Sequence, residues 1–207
     1  MSQYKVHNLF PKPLFVHDDI TTTEEQRDFV YNAEWYRPPA DNGLLTKNTY
    51  LLDEDVMKTF KDKVMKCVDL YAQNELGLNK EMAFRMTNSW AVKHETGDWG
   101  QSHIHTNSVL SGVYYMDTNE QTGNINFHRD VNNHVLPLTA RPGKYTKRND
   151  YNTDVHSVDS ITNRLVLFPS DVLHSVGNNV SEWDRYSIAF NFFPKGTWGA
   201  DEHELIL

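Results

Sequence analysis

The sequence has a single cysteine, Cys67, among 207 residues. That scarcity removes a disulfide framework, a CxxC redox pair and a cysteine-rich zinc module together, and it fits an intracellular compartment. Long hydrophobic runs are also missing. No stretch approaches the roughly 20 apolar residues of a membrane span, and the start MSQYKVHNLF carries no signal-peptide core. A soluble, cytoplasmic protein without a membrane partner is expected. Positive charge is scarce too: 20 Lys and Arg stand against 28 Asp and Glu, for a net charge of -8. Nucleic-acid affinity comes mostly from counterion release by basic side chains, so no nucleic-acid partner is expected. No GxSxG elbow, P-loop or GxGxxG occurs. What the chain has in surplus is histidine, ten residues, so any metal chemistry has to use imidazole and carboxylate.

A chain of this length supports one sizeable core, and one domain spanning 1–207 is expected. With no internal repeat or Gly/Ser linker, its organisation follows from hydrophobic period. Residues 1–81 read as helical support. Thr22-Thr23-Glu24-Glu25 can form a capping box ahead of Phe29, Val30 and Ala33. A second helix starts after Asp53, where Val56, Phe60, Val64, Cys67, Val68 and Tyr71 recur at steps of three and four before Gly77. Cys67 lies on that stripe and reads as a buried hydrophobe. From about residue 82 the period becomes two, with predicted strands at 83–94, 109–116, 123–128, 164–168, 172–176 and 184–193. The pattern is mainly β with N-terminal helices, a sandwich or jelly roll with the helices packed on one face. Residues 129–160 fit no period and read as an insert near the open end of the barrel, and 194–207 as a C-terminal tail.

Three motifs can carry chemistry. In Gln101-Ser102-His103-Ile104-His105 the two histidines are two residues apart, which on a strand places them on one face toward one metal ion. His174 follows an apolar strand and a Pro-containing turn, between Leu173 and Val176. The stretch Asp184–Phe192 alternates, with Tyr186, Ile188, Phe190 and Phe192 on one face and Arg185, Ser187, Ala189 and Asn191 on the other. If the second face lines a barrel interior, the guanidinium and hydroxyl are suited to gripping a carboxylate; otherwise it is a solvated outer face. Asn88, Trp90 and His94 share a face of strand 83–94, as pocket lining or as barrel filling.

In order, His-x-His, Ser-Gly-Val-Tyr-Tyr, Phe-Pro-Ser-x-x-x-His and Arg-x-Ser resemble the 2-oxoglutarate- and Fe(II)-dependent oxygenases, particularly a bacterial and phage branch with prolyl-hydroxylase-like strands. The resemblance covers roughly residues 82–193 and is strongest in SHIHTNSVLSGVYYMD, NRLVLFPSDVLHSV and DRYSIAFNF. It implies a double-stranded β-helix catalytic core over 82–193, with Fe(II), 2-oxoglutarate and O2 as cofactor and co-substrates. Carried onto this chain, it implies His103 and His174 as metal ligands. His105 stands where the family usually has Asp or Glu. A neutral imidazole can be the third facial ligand, leaving the site one charge unit more positive than a carboxylate would. The resemblance further implies that Arg185 and Ser187 bind the distal carboxylate of 2-oxoglutarate, with the Tyr114 hydroxyl reaching the same group. Asn88, Trp90 and His94, with Asn107, Asn126 and Asn191 as interior polar candidates, would line the pocket.

The implied reaction is hydroxylation of an unactivated C–H bond in a small-molecule or peptidyl substrate, such as peptidyl proline or an amino acid, with release of succinate and CO2. Three protein ligands leave three positions of an octahedral metal, two for the 2-oxo acid and one for O2. Arg141, Lys144, Lys147 and Arg148 form a basic patch in the 129–160 insert, a lid for an acidic group or a solvated loop. Two other readings use the same histidines: a cupin-type dioxygenase without a 2-oxo acid, and a non-catalytic or zinc-binding β-barrel module. Arg185 discriminates the first of these, since without a 2-oxo acid it has no partner to bind.

Overall fold

The computed structural model describes residues 3–39, 43–130 and 145–207. A short strand, β1 (Phe15–His17), precedes helix α1 (Glu24–Tyr31). Thr23 caps α1: its hydroxyl accepts from the Gln26 N–H while the Gln26 carboxamide oxygen accepts from the Thr23 N–H, closing a capping box. Strands β2 (Trp35–Tyr36) and β3 (Leu44–Thr46) lead to helix α2 (Lys58–Leu70), which runs on into a π-helical turn at Tyr71–Glu75. Phe60, Val64, Cys67 and Val68 are buried on the predicted stripe, and Gly77 follows the helix with φ 66.

The β region follows as β4 (Ala83–His94), β5 (Gly100–His103), β6 (Leu110–Asp117), β7 (Ile125–His128), β8 (Val155–Val158), β9 (Leu165–Pro169), β10 (His174–Val176) and β11 (Arg185–Lys195). A terminal hairpin joins β12 (Thr197–Trp198) to β13 (Leu205–Ile206). One sheet has the order β1-β9-β6-β11-β4-β3-β2 and the other β5-β10-β7-β8. Pairing within both is antiparallel. Because β4, β6, β9 and β11 alternate along the chain with the strands of the smaller sheet, the core is the expected double-stranded β-helix, or jelly roll.

The large sheet has two dissimilar faces. Ala91, Leu110, Tyr114, Met116, Leu165, Leu167, Ile188, Phe190 and Phe192 pack with α2 residues such as Phe60 and Val64 in one apolar cluster. Tyr115, Val166 and Phe168 point the other way and meet Ile125, Phe127 and Val158 of the small sheet. The barrel interior is this second space.

Two expectations change. Residues 155–158 of the presumed insert form β8, the outer strand of the small sheet; only Val158 of its four residues is buried, so no alternation marks it in the sequence. Residues 131–144, including Arg141 and Lys144 of the basic patch, lie outside the described residues. The N-terminal support also adds the short strands β1, β2 and β3, whose two or three residues are made strands by their partners rather than by any period. No helix among the described residues is long and apolar enough to cross a membrane.

Candidate functional site

Two strands from distant parts of the chain bring the histidines together. β5 and β10 are antiparallel neighbours with His103 opposite His174, so both imidazoles leave the same face of the small sheet. His105 follows just beyond β5, where its N–H donates to the Ser170 carbonyl at 3.0 Å. The nitrogens that His103, His105 and His174 can offer a metal all lie within 4.8 Å of one another, and no Asp or Glu joins them among the described residues.

Hydrogen bonds set the ring states. His103 Nδ1 lies 2.8 Å from the Gln101 carbonyl and His174 Nδ1 2.9 Å from the Val172 carbonyl. A carbonyl only accepts, so each Nδ1 carries a proton and Nε2 is the nitrogen left to face a metal. Burial holds the pKa of His174 at about 3 and that of His105 at about 4, with the neighbouring imidazoles adding to the depression. Both are therefore neutral, the form that ligates metal. The Phe168 and Phe127 rings, 4.7 and 6.2 Å from His174, and Trp90, 6.3 Å from His105, form an aromatic wall around them. A set of three imidazoles fits Fe(II), as it would zinc, copper or nickel.

Arg185 begins β11 opposite His94 of β4. It is 2% exposed. Its Nη1 donates to the Gly123 and Thr122 carbonyls at 3.1 and 3.4 Å, and its Nη2 to His94 Nδ1 at 2.6 Å. Nε is buried with no partner among the described residues. Burial pushes the arginine pKa down, yet a guanidinium stays charged in proteins, and a buried cation without a counter-charge is costly. The site therefore has the Nε N–H, the second N–H of Nη2 and one positive charge to offer an anion. Gly123 has φ 83, and a Cβ there would meet the Gly177 carbonyl oxygen at 2.1 Å, so the turn that presents its carbonyl to Arg185 packs closely on Gly177 only as glycine.

Along the interior face of β11, Arg185, Ser187, Ala189 and Asn191 pair with His94, Val92, Trp90 and Asn88. Paired residues of antiparallel strands share a face, so Asn88, Trp90 and His94 do line the interior. Trp90 is the member beside His105, which puts Ala189 level with the histidines, Arg185 and Ser187 to one side and Asn191 to the other. Asn191, 7% exposed, accepts from Ser111 Oγ at 2.7 Å, and Ser111 Oγ is 2.8 Å from Ser170 Oγ. The relay ties Asn191 to the residue whose carbonyl holds His105.

Three expected site residues are placed elsewhere. Tyr114 packs on Phe60 on the helix side, and its hydroxyl donates to Asn163 Oδ1 at 3.0 Å; it cannot share a ligand with Arg185. Tyr115 is the interior residue, its ring centroid 5.9 Å from Arg185 Cζ. The strand alternates regularly here: Ser187 of the interior face pairs with Tyr115 and Ile188 of the helix side with Tyr114, so Val113 and Tyr115 face the small sheet while Tyr114 and Met116 face the helix. Asn107 is an exposed turn residue at φ 58. Asn126 points outward, because Ile125 and Phe127 take the inward positions of β7, and it accepts from Ser157 Oγ at 2.6 Å. Tyr115, Phe127, Phe168 and the Ser111–Ser170 relay also belong to the site, though no motif marks them. The aromatic residues read as generic strand formers, and the relay needs β6, β9 and β11 to be neighbours before it exists.

A family model described as "Putative 2OG-Fe(II) oxygenase" matches residues 88–191. No curated protein matches the chain. Among solved structures, the non-heme α-ketoglutarate-dependent epimerase SnoN from nogalamycin biosynthesis is similar with a TM-score of 0.62 and 13% identity, covering 88% of this chain and 78% of that one. HygX from Streptomyces hygroscopicus, with nickel and 2-oxoglutarate bound, has a TM-score of 0.57 and 11% identity over 87% of this chain and 82% of its own. A Pseudomonas putida prolyl-4-hydroxylase has a TM-score of 0.57 and 14% identity over 89% and 94%. At these identities the likeness is one of fold.

Proposed function

This chain belongs to the 2OG-Fe(II) oxygenase family, and from that premise we propose that it hydroxylates an unactivated C–H bond of a small-molecule or peptidyl substrate. Fe(II), 2-oxoglutarate and O2 are the metal and co-substrates of the family. The observation that carries the reading is the pairing, in one barrel interior, of a three-histidine cluster with a buried arginine that has no counter-charge among the described residues. His103 and His174 would hold Fe(II) through Nε2, with His105 as the third ligand. Bound there, the metal supplies the redox chemistry by which 2-oxoglutarate, O2 and R–H become succinate, CO2 and R–OH.

The chain's own residues do the rest. Arg185 offers Nε to the distal carboxylate of 2-oxoglutarate, and Ser187 and Tyr115, paired beside it, add hydroxyl donors. Charge-assisted bonds of this kind are about twice as strong as neutral ones and fix the orientation of the diacid. Phe127 and Phe168 shield His174 and Trp90 packs beside His105, and Ala189, the smallest interior residue of β11, leaves space level with them. Asn191 and Asn88 stand on the side away from Arg185, where the substrate would enter. The fold shared with a prolyl-4-hydroxylase supports peptidyl proline or an amino acid as the substrate class to try first.

The test starts without oxygen. Fe(II) and 2-oxoglutarate should give a metal-to-ligand charge-transfer band, and admitting O2 with pools of peptides or amino acids should give succinate. Absence of both would sink the reading. Binding of zinc with no uptake of 2-oxoglutarate would favour a non-catalytic module instead.

A further inference from the structure

A guanidinium buried to await a carboxylate has to be held in place by something that does not neutralise it. We infer that His94 is the positioning residue of Arg185, an acceptor that fixes the guanidinium fork for the distal carboxylate of the co-substrate while leaving its charge uncancelled. The inference rests on the oxygenase reading above.

The geometry specifies the chemistry. Arginine can only donate, so a contact of 2.6 Å from Arg185 Nη2 to His94 Nδ1 requires that Nδ1 be unprotonated. His94 is therefore a neutral imidazole with its proton on Nε2. It is buried, and burial together with the Arg185 charge keeps it in that form. With the Thr122 and Gly123 carbonyls it holds Nη1 and one N–H of Nη2, leaving the Nε N–H and the second N–H of Nη2 for the ligand. Each of these partners is a neutral acceptor. An Asp or Glu at position 94 would pair with the guanidinium itself and compete with an incoming carboxylate. Imidazole supplies the hydrogen bond without that competition.

His94 is in turn held from two directions. Its carbonyl accepts from Asn179 Nδ2 at 2.9 Å. Its ring lies against Gly43, where an added Cβ would come within 2.9 Å of both Cδ2 and Nε2. Gly43 thus gives the ring just enough room, and Gly43→Ala would push the imidazole without removing it.

The experiment uses the full chain loaded with nickel, which supports no turnover, and measures calorimetrically the binding of 2-oxoglutarate and of 2-oxopentanoate, which has the same 2-oxo acid end but no distal carboxylate. The unaltered chain should prefer 2-oxoglutarate. His94→Leu should weaken 2-oxoglutarate by about tenfold, the scale of one hydrogen bond to a charged group, and leave 2-oxopentanoate and nickel affinity unchanged. His94→Asn places Oδ1 where Nδ1 stood and should restore the preference; His94→Gln puts its polar atoms further out and should not. Gly43→Ala should give a smaller loss of the same selective kind. Equal preference in His94→Leu and the unaltered chain, or equal weakening of both acids, would overturn the inference. Should His94→Leu fail to fold, as read by its melting temperature, the Asn and Gln variants decide: equal affinity of the two for 2-oxoglutarate overturns it. If the unaltered nickel-loaded chain takes up 2-oxopentanoate as well as 2-oxoglutarate, Arg185 has no anion role and the inference falls while the metal site stands. If it takes up neither, the oxygenase reading fails first.

Discussion

The two faces of the large sheet are made by the same strands and differ in almost everything else. Toward α2, Ile188, Phe190, Phe192, Tyr114 and Leu167 pack against Phe60 and Val64 as a dry core. Toward the small sheet, the residues between them include a charged arginine, a neutral histidine, a buried serine and an asparagine. The first face is an apolar core, and the second carries the polar and titratable groups. A strand's period of two is what lets adjacent residues serve such different ends. Tyr114 and Tyr115 are neighbours in sequence, yet one hydroxyl is occupied by Asn163 while the other ring stands beside Arg185.

That division can be broken by experiment. Phe60→Ala, on the helix face, should cost about 3–5 kcal/mol of stability with nickel and 2-oxoglutarate affinities intact in the protein that remains folded; urea unfolding and calorimetry would show it. A matching loss of ligand affinity would mean that the faces are not separable. His174→Ala, on the interior face, should lower metal affinity by more than about 100-fold, beyond the effect of losing a residue behind a ligand, while circular dichroism of the metal-free protein stays unchanged. The tyrosine pair sharpens the contrast. Tyr115→Phe should weaken 2-oxoglutarate roughly three- to tenfold, the worth of one hydrogen bond, whereas Tyr114→Phe should leave it unaltered and cost about 1 kcal/mol of stability instead. The reverse result would restore the assignment drawn from the family resemblance.

A smaller effect comes with pH. His94 and His174 are buried as neutral rings with pKa values lowered from 6.5 to about 3. The unfolded chain takes up protons first as pH falls, so the metal-free protein should lose stability below pH 6.5 and go on losing it toward pH 3. The first pH unit of that window is worth about 1 kcal/mol for each such ring. Urea midpoints measured between pH 7 and 5 would check the slope, and a flat profile would contradict neutral buried histidines.

Much of this was legible in advance. The helix stripe from Phe60 to Val68, the buried Cys67, the run 83–94 and the alternation of Arg185, Ser187 and Asn191 all follow from period, because they are long or strongly patterned. So does the proximity of His103 and His105, two residues apart. Strand β8 was not legible, since one buried residue in four leaves no pattern. Nor was the outward turn of Asn126, where Ile125 and Phe127 claim the interior. The choice between Tyr114 and Tyr115 depended on which face of β6 meets the small sheet, and the pairing of Ser187 with Tyr115 sets that rather than any pattern within Ser-Gly-Val-Tyr-Tyr.

By itself the sequence determined which kinds of chemistry were open: one cysteine closed thiol chemistry, a surplus of histidine opened imidazole ligation, and the order of the motifs pointed to a family. Only the tertiary structure decided which histidines meet, because His103 and His174 face each other through antiparallel pairing across about 70 residues of chain. It alone showed that Arg185 is held by neutral acceptors and has an Nε with no partner among the described residues. Ligation and charge pairing depend on distance between side chains, and distance between distant residues is set by strand register, which is a property of the folded sheets.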